Sequence, residues 1–408
     1  MRWWVCAAPF VAAVIPAACG RPATVSSAPS ADVFSLAGQY AIPHDLSASL
    51  HVRVGGLSGL ASLGNGHELL ALADDRDHPR VFRMAVNAET NAFRVDVSGI
   101  LYLQPAAGAP THLDPEGIAV TPDGHMLITS EGAANDETRL PPAILEYASD
   151  GAFIRPLPVR GRYAPSDRGP VTAGVRDNAG FEALTLSPDA ARLFTATELP
   201  LAQDGEATTF APGARARLLE YRATGGSFEP AREFVYEIDP IPRPPFEVRF
   251  AIAGVVELLS LGGNVLLAME RGFVESVDRK ESMNTIRLSR IDFSDATDVS
   301  NRESLLGATG IVPVRKALVL DVNALRGLAP PLTRLDNFEG MAWGPATADG
   351  IRTLILVSDD NFSERQVTGF LLLRPGRRSL LPRGPRVSGV TKMRPSEAEL
   401  LGSGAKPR

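Results

Sequence analysis

Acidic side chains recur along this sequence in one local setting. In DPEGIAVTPDGHMLITSEG (114–132) a carboxylate precedes an apolar run, a turn follows, and a second apolar run closes on another carboxylate. NFEGMAWGPATADGIRTLILVSDDN (337–361) repeats the arrangement. One set of acids, Glu116, Glu182, Glu257 and Glu339, opens the first run of its unit, with Ser58 in that place in the earliest unit. A second set, Asp74, Glu131, Glu198, Glu270 and Asp359, closes the following run. A hairpin ends beside its own beginning, so both sets are expected at one mouth. Two unit charges about 4 Å apart interact by about 4 kcal/mol at an effective dielectric of 20, and a ring of carboxylates therefore needs compensation. A hard divalent cation with oxygen ligands supplies it, Ca²⁺ above all, because calcium accepts irregular carboxylate and carbonyl shells. Arg76, Arg271 and Arg365 stand beside the acids, where a guanidinium either pairs with them or grips an anionic substrate. His112, near Asp114, is the histidine placed to join them. With calcium bound, Glu116, Glu339 and His112 are the candidate catalytic groups that would activate water. The architectural alternative is that each Glu caps main-chain amides and each Arg bridges neighbouring units.

The elements that must position these groups repeat as well. GLSGLASLGNGHELLALADD (56–75), the segments starting at 114 and 337, GFEALTLSPDAARLFTATE (180–198) and GVVELLSLGGNVLLAME (254–270) each read as a hairpin. In each, runs of apolar and β-branched residues flank Asn-Gly, Asp-Gly, Pro-Asp or Gly-Gly turns, which provide the dihedrals a tight reversal needs. A third run follows every hairpin and a fourth follows most. Four strands per unit predict an all-β chain, a β-propeller of four-stranded blades, five visible and a sixth allowed by the long connections 160–179, 199–214 and 294–315. The last unit lacks a fourth strand, and FSLAGQYAIP (34–43) is expected to complete it and close the ring, which removes open sheet edges. Two stacked β-sandwiches are the rival arrangement.

Composition narrows the function. Arg2 followed by the uncharged run Trp3–Ala18 reads as an export signal over 1–18, and PAACG makes Cys19 a candidate for lipidation at the head of a tether over 19–33. The expected location is the periplasm, as a soluble protein or an outer-membrane lipoprotein, with secretion as the alternative. Cys6 falls inside the signal, so the mature chain has no disulfide and no thiolate metal site. The formal charge is −6. From Arg374 onward the chain carries nine basic and two acidic residues, so the tail over 375–408 is basic and the domain over 34–374 is the more acidic, which argues against nucleic acid as a partner. Contact with a membrane is expected only through a lipid anchor, and the domain is expected to act as a monomer on a small molecule. There is no G-x-S-x-G elbow, H-E-x-x-H, P-loop or dinucleotide fingerprint, which disfavours a serine esterase, a zincin and nucleotide chemistry.

VSDDNFSERQVTGFLLL (357–373), NFEGMAWGP (337–345), RDNAGFEALTLSPD (176–189), MERGF (269–273) and LADDRDHPRVF (72–82) together resemble the phytase-like domain family, esterase-like activity of phytase. The resemblance runs over about residues 36–374. It implies an exported bacterial propeller, distantly similar to calcium-dependent propeller phytases, with hydrolysis of phosphate esters as the activity. A lactone or carboxylic-ester hydrolase would use the same acids, and an envelope-anchored binding propeller would hold a ligand without turning it over.

Overall fold

A computed structural model describes residues 34–43, 46, 51–89, 92–105 and 112–376. The signal, tether and Cys19, and all but the first two residues of the basic tail, lie outside the described residues.

The described chain starts with β1 (Phe34–Ala41) and then builds four sheets in succession. The first contains β2 (Leu57–Leu63), β3 (Glu68–Ala73), β4 (Arg80–Glu89) and β5 (Ala92–Tyr102). The second contains β6 (Pro115–Val120) and β7 (Met126–Ser130), then, after a short hairpin of β8 (Ala133–Ala134) and β9 (Arg139–Leu140), β10 (Ala143–Tyr147) and β11 (Phe153–Pro156). The third is β12 (Phe181–Leu186), β13 (Arg192–Thr197), β14 (Ala214–Thr224) and β15 (Ser227–Ile238). The fourth is β16 (Val248–Gly262), β17 (Val265–Ser276), β18 (Ser282–Asp292) and β19 (Arg315–Asp321). A fifth sheet joins β20 (Asn337–Ala346), β21 (Arg352–Asp359) and β22 (Gly369–Pro375) to β1, which pairs antiparallel with β22 from Phe34 opposite Pro375 to Ala41 opposite Gly369. The first strands of the blades form the inner ring: β2 packs against β6 and β20, β12 against β6 and β16, and β16 against β20. The protein is a five-bladed propeller closed by its N-terminal strand.

The apolar runs are continuous because every blade is buried on both faces. Along β3, Leu69, Ala71 and Ala73 enter the core shared with the fifth blade, while Leu70 and Leu72 enter the core shared with the second. The other three blade interfaces hold one apolar cluster each. The long connections carry no sixth blade. They fold over the third blade, where buried Arg217 pairs with Asp204 at 2.6 Å and Glu233 at 2.9 Å, and Val299 and Leu305 pack on Val235. A buried guanidinium donating to two carboxylates satisfies the charge that these connections bring inside.

Candidate metal centre

Every inner strand carries a bulge, near its start in four blades and midway along β16 in the fourth. The β-ladder breaks between Leu57 and Gly59, Pro115 and Ile118, Phe181 and Leu184, Val255 and Glu257, and Phe338 and Gly340. A bulge leaves its extra residue unpaired and re-aims that side chain. The residues set there are Ser58, Glu116, Glu182, Val256 and Glu339. Opposite the residue before each bulge stand Ala73, Ser130, Thr197, Glu270 and Ser358, so the next residues, Asp74, Glu131, Glu198, Arg271 and Asp359, are equivalent. The Glu-Gly sequence in two blades has a steric reason as well. A Cβ on Gly117 would stand 2.5 Å from the carbonyl oxygen of Glu182, so the inner strands close on the axis only with a very small residue there.

The fourth blade corrects the register read from its sequence. Glu257 and Glu270 each sit one position away from the recurring acids, and a one-residue slip sends a side chain to the opposite face. Glu257 lies deeper in the channel, where its Oε1 accepts from the main-chain N–H of Leu258 at 2.8 Å and of Leu184 at 3.4 Å. Burial pushes its carboxyl well above the usual range against the pull of those amides and of the Met341 and Leu60 amides. Glu270 turns away from the mouth to accept from Tyr236 Oη and Lys316 Nζ, both at 2.7 Å. Arg271 takes the acid's place at the mouth. Its Nη2 donates to Glu198 Oε1 at 2.9 Å and its Nη1 to Asn337 Oδ1 at 2.7 Å and to Glu339. Burial disfavours its charge, but Glu339, Glu198 and Glu182 outweigh that and raise its pKa.

The opposite side of the mouth meets, among the described residues, an exposed arginine at its rim rather than a largely buried one. Oxygen atoms of Asp74, Asp114 and Glu116 lie within 4.8 Å of one another, and so do oxygens of Glu116, Glu131 and Glu182; Glu116 belongs to both groups. Arg76 reaches this side, with Nε 2.6 Å from Asp114 Oδ1 and Nη2 2.9 Å from Asn178 Oδ1. Burial raises the Asp74 carboxyl to about 9, reinforced by Asp114 and Asp359, and raises Glu131 to about 8. Burial also lifts Glu116, Glu182 and Asp359 well above the carboxylate range, with neighbouring acids adding to it. Glu198 and Glu339 are raised by burial in spite of Arg271. Carboxyl oxygens this close cannot all stay ionised unless protons or a cation lie among them.

These residues fit a hard cation. The donors are all carboxylate oxygens, and buried Glu131 Oε2 and Asp74 Oδ1 have no hydrogen-bond partner among the described residues. Of the remaining predicted groups, His112 is exposed beside Arg76 and Asp114 in a pocket next to the acids. Arg365 is exposed on the turn after Asp360, and none of the mouth carboxylates is its partner among the described residues. Asp114 and Asn337 are site residues that the repeat reading passed over. Their signal is shared: both precede the recurring Glu by two positions, in Asp-Pro-Glu and Asn-Phe-Glu.

No curated protein matches the sequence. Among solved structures, the Dos1 propeller is similar at 7% identity and TM-score 0.32, over 78% of this chain and 67% of that one. The gluconolactonase XC5397 from Xanthomonas campestris is similar at 11% and 0.28, over 85% and 100%. Apo AztD from Citrobacter koseri is similar at 11% and 0.23, over 75% and 83%. At that distance none of them informs the chemistry. Residues 52–362 match the family described as phytase-like, esterase-like activity of phytase. With that match spanning four whole blades, the two inner strands of the fifth and the whole acidic mouth, the chain belongs to the phytase-like family.

Proposed function

We propose that the protein is an exported, calcium-dependent hydrolase of phosphate esters, with the cation held among Asp74, Asp114, Glu116, Glu131 and Glu182. One observation carries this reading. Eight carboxylates line the mouth, Asp74, Asp114, Glu116, Glu131, Glu182, Glu198, Glu339 and Asp359, and among the described residues Arg271 and Arg76 are the cations bonded to them. Arg271 offsets part of the charge on the side formed by Glu198 and Glu339, so most of the charge left over lies around Glu116. Calcium bound there would supply Lewis acidity toward a phosphoryl oxygen and neutralise the acids. The chain's own groups do the rest. Glu116, common to both oxygen groups, fixes the cluster. Arg76, anchored on Asp114 and Asn178, presents its guanidinium edge to an anionic ester. His112, exposed at the same rim, delivers a proton to the leaving oxygen. Glu339, held by Arg271 and Asn337, contributes charge at the mouth and orients Arg271.

The commitment of both arginines favours a second reading, in which the scissile bond belongs to a lactone or carboxylic ester, since among the described residues no dense cationic cluster remains at the mouth for several phosphates. A panel of phosphomonoesters, lactones and carboxylic esters, assayed with calcium and with chelator, tests both. Calcium-dependent turnover of phosphomonoesters is expected. Turnover indifferent to chelator overturns the role given to calcium, and no turnover across the panel overturns the hydrolytic reading in favour of a binding propeller.

A further inference from the structure

Beside the acids lies a pocket of about 140 Å³ that shares Asp114 and Arg76 with the mouth. Its buried floor is Leu113 and Gly132, and Ala133 and Leu140 form a wall. Arg76 and His112 are exposed at its rim. The wall is the β8–β9 hairpin, and it is held firmly. Asp177 Oδ1 accepts from the Ala134 N–H at 3.0 Å and from Asn135 Nδ2 at 3.2 Å, while Arg139 Nη1 donates to the Ala134 carbonyl at 2.6 Å. Gly132 turns into the hairpin at φ +86°, and a Cβ there would stand 2.7 Å from the Leu140 carbonyl oxygen. A pocket built on such a turn is preorganised rather than moulded around its occupant.

Size and chemistry specify that occupant. An apolar cavity of about 150 Å³ takes up one benzene molecule. The space here therefore matches about six heavy atoms, its lining is aliphatic at Leu113, Ala133 and Leu140 with polar Asn135 and Thr138 beside them, and its cation is at the rim beside the acids. An apolar group seated against Leu113 and Leu140 would place an attached anionic or carbonyl group at Arg76 and Asp114, next to Glu116.

We propose that this pocket binds the organic group of the ester, a single ring or branched chain of about six heavy atoms, so that the substrate is a compact monoester rather than a multiply phosphorylated polyol. The assignment rests on the reading that ester cleavage occurs at the acidic mouth, and it adds the substrate class.

Binding titrations on the mature protein with calcium test it through two probe pairs, phenylphosphonate against methylphosphonate and benzoate against acetate. In at least one pair the ring compound is expected to bind about tenfold or more tightly, and the pair that shows the preference identifies the head group. Ala133→Phe, which fills the pocket, should erase the preference by weakening the ring compound more than the small probe. No ring preference in either pair, a preference that survives in Ala133→Phe, or naphthylphosphonate binding as tightly as phenylphosphonate would each overturn the assignment. If Ala133→Phe does not fold, the wild-type comparison decides alone. Ring preference without hydrolysis of any matching ester removes the hydrolytic reading and leaves the pocket assigned; hydrolysis without ring preference does the reverse.

Discussion

Arg271 Nη2 lies 2.9 Å from Glu198 Oε1, so a guanidinium from the fourth blade satisfies an acid of the third while its other nitrogen reaches Glu339 of the fifth. Three blades meet on one side chain. Removing it leaves two buried carboxylates uncompensated, and breaking a buried pair from one side costs about 3–5 kcal/mol. Arg271→Ala should lose about that much stability in urea unfolding. Arg271→Lys should recover only part, because one ammonium lacks the fork that serves both acids. A loss below about 0.5 kcal/mol in Arg271→Ala would mean that the guanidinium does not compensate the mouth.

The raised carboxyls set a pH dependence with a definite sign. Asp74 at about 9 and Glu131 at about 8 bind protons in the folded metal-free protein that the unfolded chain has already released above about pH 4. Stability then falls as pH rises between those limits, since the folded state holds more protons than the unfolded one. Without metal, Tm should decline steadily from pH 5 to pH 9. Calcium displaces those protons, so the increment in Tm that it gives should grow over the same range, and its binding should release protons detectable by calorimetry in buffers of different ionisation enthalpy. A metal-free Tm that rises from pH 5 to pH 9 would contradict the burial of these acids.

The sequence showed the fold through features that survive without coordinates: turn residues at regular intervals, and apolar runs long enough to be buried on two faces. It showed Glu116, Glu182 and Glu339 for the same reason, because each sits at a bulge next to Gly or Ala and is followed by an apolar run. It misled at the fourth blade. Val-Val-Glu-Leu aligns by its glutamate with Phe-Glu-Ala-Leu, yet the ladder places Val256 at the bulge and Glu257 one step beyond. Nothing local distinguishes the two registers. What decides is the long-range pairing of Val255 with Glu270 and of Glu257 with Met269. The same slip hid Arg271 as a member of the ring. Asp114 and Asn337 escaped because their place, two before the recurring Glu, is Gly in the other three blades.

That register separates two glutamates that look alike in sequence. Glu116 contributes to both oxygen groups, so Glu116→Gln should weaken calcium binding by more than the about 10–100-fold typical of losing an outer-shell partner. Glu270→Gln should leave calcium affinity within about twofold and cost about 1–3 kcal/mol of stability through Tyr236 and Lys316. Calcium titration by calorimetry and urea unfolding of both variants check this. Equal losses of affinity would return Glu270 to the mouth.

Glu257 gives the inner strands a shared acceptor. Its carboxyl is 1% exposed and takes the main-chain N–H groups of Leu258 and Leu184 from two different blades. Glu257→Ala leaves buried donors unsatisfied, at a cost of about 1–3 kcal/mol. Glu257→Gln keeps a carbonyl acceptor and removes the cost of a buried carboxyl, so it should unfold within about 1 kcal/mol of wild type. If both variants unfold alike, the amides have found other partners and the carboxyl is not the element that ties them.

Ring closure by β1 predicts a specific failure when that strand is removed. β22 reads Gly-Phe-Leu-Leu-Leu-Arg-Pro, and Phe370, Leu371 and Leu373 are fully buried beneath its pairing with β1. Phe34 adds an anchor in the core between the fourth and fifth blades, and Gly38 sits so close to the Phe93 side chain that no Cβ fits. A chain lacking residues 1–41 would present β22 as a long apolar edge with its N–H and C=O groups unpaired, a template for pairing with another chain. It should associate in a concentration-dependent way, visible by light scattering at concentrations where the chain starting at residue 34 is monomeric. Excess synthetic peptide of sequence FSLAGQYA should suppress the association by adding the missing strand, since main-chain hydrogen bonds supply the affinity and alternate side chains the register. Peptide with Gly38 replaced by Val should fail to do so, because the new side chain would occupy the space of Phe93. A truncated chain that stays monomeric, or is rescued equally by both peptides, would show that β1 covers the edge without closing the ring.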